Sequence, residues 1–238
     1  MPFPETVPAS GAASIFLPLT QEDQARADLY ALCASLLLKA PDTELLAALA
    51  AADSLRTQQQ GQQEHQEQGE QPLDRAWEKL VLAAGLVDAD AVKEEFDALF
   101  ISIGTPLVNP YGSHYLAGFM HEKPLAALRD ELRALGLARV RGVGEPEDHL
   151  GALCEVMRIL IAGAPGAPRR PLETQKTFFI RHIAPWQERC LGDIRNTGCA
   201  NFYRHVADFA SAFFEVEFEA FEMEDDAELP IAPIALQQ

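Results

Sequence analysis

The sequence predicts an all-α protein, a single helical-bundle domain of roughly eight to ten helices. Apolar residues recur at gaps of three and four along most of the chain, the period of a helix with one buried face. No convincing alternating run marks a strand. Prolines and glycines cut the chain into helix-length pieces. With 238 residues, of which 48% are hydrophobic, there is enough apolar surface for a packed core.

Residues 1–20 are rich in Pro, Ala, Ser and Gly without periodicity and read as a flexible lead-in. The helical domain is expected at 21–222. Thr20-Gln-Glu-Asp23 resembles a capping box, and Ala25, Leu29, Leu32, Cys33, Leu36 and Leu37 then share one face until Pro41. A short helix through Leu45, Leu46 and Leu49 leads to a flexible insertion at 57–72, whose Gln58–Gln71 tract has nothing to place in a core. Order resumes near Pro72 with Leu73, Trp77, Leu80 and Val81, and again from Asp90 with Val92, Phe96, Leu99 and Phe100.

Gly104–Ser113 holds two prolines and two glycines, so it is a structured loop. Pro124 opens a helix through Leu125, Leu128, Leu132 and Leu135 that Gly136 closes. A Gly-rich hinge at 141–144 precedes Glu145-Pro-Glu-Asp-His149, whose proline and carboxylates suit a helix N-terminus. That helix continues through Leu150, Leu153, Cys154, Met157, Leu160 and Ile161. Beyond a loop at 163–171, helical spacing groups Phe178, Phe179, Ile183 and Trp186, and then Phe202, Tyr203, Val206, Phe209, Phe213 and Phe214. Eight carboxylates between Glu215 and Glu228 predict that the last helix runs into a solvated acidic tail, 223–238.

Charge and motifs narrow the function. Lys and Arg number 19 against 36 Asp and Glu, a net charge of −17, which repels phosphate backbones and argues against nucleic acid as a partner. The same field would draw in a basic peptide, and it equally serves solubility. The four cysteines form no CxxC pair, and Cys33 and Cys154 lie within apolar helical patterns, as reduced, core-filling thiols in a cytoplasmic protein do. No signal-peptide pattern and no membrane-length apolar run is present, so stable membrane insertion is not expected.

Arg141-Gly-Val-Gly144 lacks the third glycine, the Lys and the preceding strand of a phosphate cradle. There is no HExxH, no Glu three residues before a His and no Gly-x-Ser-x-Gly elbow. The expectation is therefore no enzyme, no metal and no cofactor.

Two segments concentrate the remaining unusual residues: Asn109-Pro-Tyr-Gly-Ser-His-Tyr-Leu116 and Gly144-Glu-Pro-Glu-Asp-His-Leu150. Glu145-Pro146-x-Asp148-His149 matches an E-P-x-D-H signature, and Pro-Tyr-Gly-Ser-x-Tyr-Leu matches a P-x-x-S-x-Y/W-L segment. With Leu99-Phe100 before them and Phe178-Phe179-x-x-His182-x-x-Pro185-Trp186 after, the chain from about Tyr30 to Phe214 resembles the TorD/DmsD (NarJ-like) family of redox-enzyme maturation chaperones. It departs from that family after Phe100, where Ile-Ser-Ile-Gly-Thr-Pro106 stands in place of an early Gly-Pro pair, and in its Gln-rich insertion.

The resemblance implies a TorD-like fold and a cytoplasmic, system-specific chaperone. Its partner would be the catalytic subunit of a molybdoenzyme, held by an N-terminal twin-arginine leader until the molybdenum cofactor is inserted and the enzyme assembled before export. It points to Tyr111, Ser113, Tyr115, Leu116, Glu145, Pro146, Asp148 and His149 as peptide-binding residues, with His182 and Trp186 in second rank. A leader offers an arginine pair and then an apolar stretch, so carboxylates beside an apolar surface suit it. Asp148 is expected to accept from a guanidinium, while Glu147 faces water. Two alternatives stand beside this. Spacing alone allows Pro146, Glu147 and Asp148 to do no more than start a helix, with His149 a buried imidazole and His182 and Trp186 packed in the core. At the level of function, the chain could be an acidic adaptor that docks a folded partner without reading a leader. Oligomeric state is left between a monomer and a helix-exchanged dimer.

Overall fold

The structure, a computed structural model, describes residues 19–55, 71–101, 105–118, 123–138 and 146–227. Most of the expected lead-in, the body of the Gln-rich insertion, the hinge at 141–144 with Glu145, and the tail beyond 227 lie outside the described residues. The described residues hold ten α-helices and no strand: α1 Gln21–Leu38, α2 Thr43–Ala50, α3 Pro72–Leu86, α4 Ala89–Phe96, α5 Gly112–Ala117, α6 Lys123–Ala134, α7 Leu150–Ala162, α8 Leu172–His182, α9 Gln187–Asn196 and α10 Phe202–Ala227. The all-α expectation holds, and no helix among the described residues is long and apolar enough to cross a membrane.

Local chemistry explains where the helices start. Thr20 Oγ1 accepts from the Asp23 amide at 3.0 Å to open α1, and Asp42 does the same for Leu45 of α2, each satisfying an amide that the helix itself cannot. The N-terminus of α10 is capped from another element: the Glu95 carboxylate accepts from the amides of Asn201, Phe202 and Tyr203 at 2.8, 3.1 and 2.7 Å. A negative group there is also favoured by the helix dipole.

The long helix α10 is the spine, packing against α1, α3, α4 and α9. Its buried Tyr203, Val206, Phe209, Phe213, Phe214 and Phe221 meet Tyr30 of α1, Trp77 of α3, Phe96 of α4 and Phe179 of α8. On the far side of α1 lies α7, seated so closely that a Cβ on Gly151 would fall 2.8 Å from Leu38 Cγ. Only glycine admits that approach.

Four local expectations need correction. α4 continues into a π-helical turn, Asp97–Ile101, which buries Leu99; such a bulge adds a residue per turn and leaves no mark on apolar spacing. Pro146–His149 is a turn closed by the His149 amide on the Pro146 carbonyl at 3.3 Å, so helix α7 begins only at Leu150. Trp186 is the N-cap of a separate helix, α9, so it does not share a helical face with His182. Finally, the acidic stretch after Glu215 does not simply run into solvent: α10 continues to Ala227, and Glu217 within it is buried.

Candidate functional site

After 105–111 the chain enters α5, which is held between the start of α7 and helices α6 and α9. Tyr111 and His149 form an antiparallel bridge. The Gly112 amide donates to the Asp148 carbonyl at 2.9 Å, and the Leu150 amide to the Pro110 carbonyl at 2.8 Å. Thus the two segments singled out from the sequence, far apart in the chain, meet backbone to backbone.

Asp148 joins them a second time. Its Oδ2 accepts from the Ser113 amide at 2.8 Å and from the Ser113 hydroxyl at 2.5 Å, at the N-terminus of α5 where a carboxylate is favoured. Both residues are buried, and Asp148 Oδ1 has no hydrogen-bond partner among the described residues. The Tyr111 ring lies edge-on to the His149 ring, centroids 5.1 Å apart. His149 Nδ1 accepts from the Gly151 amide at 3.0 Å, capping α7.

The contacts continue at Gly112, where a Cβ would lie 3.1 Å from Trp186 Nε1, so the missing side chain lets the indole approach this closely. Trp186 stacks on Tyr115 at 5.5 Å and donates to the His182 carbonyl at 2.6 Å. His182 in turn contacts Glu131 of α6, Nε2 to Oε2 at 3.0 Å. Tyr115 donates its hydroxyl to Asp193 at 2.7 Å, and its carbonyl accepts from Arg189 at 2.7 Å. Leu116 faces outward, 43% exposed. Pro146 is half-buried in the turn, and Glu145 lies outside the described residues.

The electrostatics follow from these contacts. Burial would raise the Glu131 carboxyl, but the hydrogen bonds and charge of His182 and Arg181 hold it below the usual carboxylate range. The Arg129 guanidinium is raised because Glu147 accepts from it at 3.0 and 2.8 Å. Glu147 therefore does not simply face water, as expected; it ties the turn to α6. Burial pushes the Cys190 thiol up to about 12 and also raises the neighbouring Tyr115 phenol.

Sequence reasoning missed Arg129, Glu131, Arg189 and Asp193. Each lies on the polar face of an amphipathic helix, and each finds its partner only across the tertiary fold, so no local spacing marks it. The Ser113 hydroxyl is buried with its proton directed at Asp148, and the His149 nitrogen that could take a proton is occupied by the Gly151 amide. A nucleophile with an available base is not assembled from these two residues.

Three likenesses bear on the family. The family model for the nitrate reductase delta subunit matches residues 66–191. Chaperone protein TorD of Vibrio cholerae is 29% identical over 136 residues, which are 51% of this chain and 62% of that protein; the chain thus spans less than two thirds of this curated relative. The crystal structure of a candidate redox enzyme maturation protein from Archaeoglobus fulgidus superposes with a TM-score of 0.51, covering 81% of this chain and 93% of that one, at 18% identity. The latter shares the fold, and the family model spans more than half of the sequence, including α3 to α8 and the whole Tyr111–His149 junction. The chain belongs to the nitrate reductase delta subunit family, of the NarJ/TorD type.

Proposed function

We propose that the protein is a cytoplasmic redox-enzyme maturation chaperone. It binds the N-terminal, twin-arginine leader of a molybdenum-cofactor oxidoreductase subunit and assists cofactor insertion and assembly before export. Family membership and the TorD relative support the chaperone reading. The observation that carries leader recognition is Asp148: a buried carboxylate with one oxygen doubly hydrogen-bonded and the other without a partner among the described residues. An unsatisfied buried acceptor costs roughly 1–3 kcal/mol. An arginine of the leader would relieve that cost with a charge-assisted bond.

Because the free oxygen is closed off from solvent, binding includes an opening of the Pro146–His149 turn, with Glu147 leaving or keeping Arg129. Tyr111, Tyr115 and the exposed Leu116 offer apolar surface beside it for the residues that follow the arginine pair. Ser113, Pro146 and His149 hold the geometry, and His182 and Trp186 support α5 from behind.

Calorimetric titration of a client leader peptide tests this. Asp148→Asn keeps an oxygen for Ser113 and removes the charge, and should weaken binding by about one to two orders of magnitude. Replacing the leader's two arginines by alanine should do the same to the wild-type protein. Equal affinity for wild type and Asp148→Asn would remove Asp148 from recognition.

A further inference from the structure

Away from that junction, a groove of about 380 Å³ runs between α8, α9 and α10. Phe179 and Phe214 form its floor, and Phe218, 41% exposed, stands at its edge. The rim is acidic: Glu188 and Glu215 line it and no Lys, Arg or His does. Glu188 is engaged, accepting from Ser211 at 2.6 Å and Arg195 at 2.9 Å. Glu215 is exposed, with no ion pair or hydrogen bond among the described residues. The Gln187 amide oxygen, buried at the rim, likewise has no partner among the described residues. Along α10, Glu215 and Glu222 stand three before and four after Phe218, so the exposed ring has a carboxylate on either side of it along one helical face.

We propose that this groove is a docking site for a basic segment of a partner protein, one in which Arg or Lys neighbours a large apolar residue. The apolar side chain packs on Phe214 and Phe218, while the cation meets Glu215 and the Gln187 oxygen and lies against the Phe218 ring. Charge selects this occupant. A nucleic acid or an anionic membrane is repelled by the rim and by the net charge of −17, and a second copy of this chain brings the same acidic helix. The proposal stands independently of leader recognition at Asp148.

The probe is a fluorescein-labelled synthetic peptide of interleaved Arg and Leu, its binding followed by anisotropy at physiological salt. Phe218→Ala and Glu215→Gln alter exposed positions and should leave the thermal melt unchanged. Phe218→Ala should weaken binding about tenfold, as loss of an aromatic anchor does, and Glu215→Gln several-fold. Leu82→Ala and Glu78→Gln, which make matching changes on the exposed face of α3, should each change affinity less than about twofold. Unchanged binding by Phe218→Ala, or an equal loss in the α3 variants, overturns the proposal. Asp148→Asn titrated with the same peptide separates the two sites: the loss caused by Phe218→Ala should be the same with and without it, and a loss that vanishes in the Asp148→Asn background overturns the proposal.

Discussion

Two buried carboxylates hold distant parts of this molecule together, and they are finished differently. Glu217 on α10 receives Arg26 of α1 with both oxygens, at 2.7 and 2.8 Å, and the same guanidinium lies 5.5 Å over the Phe221 ring. Asp148 receives two hydrogen bonds on one oxygen and, among the described residues, none on the other. The first pair is closed and internally neutral, which suits a clamp between helices. The second keeps one oxygen without a partner among the described residues, at a turn between two helix starts. Burial alone does not separate structure from site; the state of the partner atoms does.

If Glu217 is purely a clamp, breaking it should be the most damaging change to stability. Glu217→Ala leaves the half-buried Arg26 with only Asp23, at 3.4 Å, as a counter-charge, and should cost about 3 kcal/mol in urea denaturation. The double variant Arg26→Met, Glu217→Leu should recover most of that loss, since a matched apolar pair of similar volume is commonly as stable as the ion pair. A double variant as unstable as the single one would show that packing and not charge is at stake. Leader affinity should be unaffected in both.

At the other carboxylate the effect on stability should be smaller. Ser113→Ala removes the hydroxyl donor but leaves the backbone amide on Asp148 Oδ2, which should cost about 1.5 kcal/mol by the same measurement. A loss as large as that for Glu217→Ala would make Asp148 a clamp too and blunt the distinction between them.

The fold was largely legible because helical spacing reports burial directly: Tyr30, Leu36 and Leu37, or Leu153, Cys154 and Met157, are apolar where the chain meets the core. α9 was harder to see, as only Cys190, Leu191 and Ile194 are buried in a segment otherwise charged. The π-helical turn and the turn at Pro146 were missed because tertiary hydrogen bonds, such as Val108 amide to Leu99 carbonyl and Leu150 amide to Pro110 carbonyl, set them. The candidate site was legible as two motifs but not as a geometry. Nothing in the spacing of Asp148 says that Ser113 would occupy one of its oxygens, or that Arg129 would claim Glu147.

The network behind the site offers the finest test of how a carboxylate's partners shape its role. Glu131 Oε2 contacts Arg181 at 2.7 Å and His182 at 3.0 Å, and its folded pKa lies below the ordinary Glu value. A depressed acid pKa means that the folded state binds the proton less readily than the unfolded chain does. Its stabilisation is thus complete above the unfolded value of about 4.3 and is lost as pH falls through the folded one. The free-energy advantage of wild type over Glu131→Gln should be constant down to about pH 5 and shrink below it. Arg181 is largely exposed, so that advantage should be the smallest of the three effects, under about 1 kcal/mol at neutral pH. An advantage that grows on acidification would mean that Glu131 is held by burial in its protonated form, and that the α6–α8 contact behind Trp186 does not rest on charge.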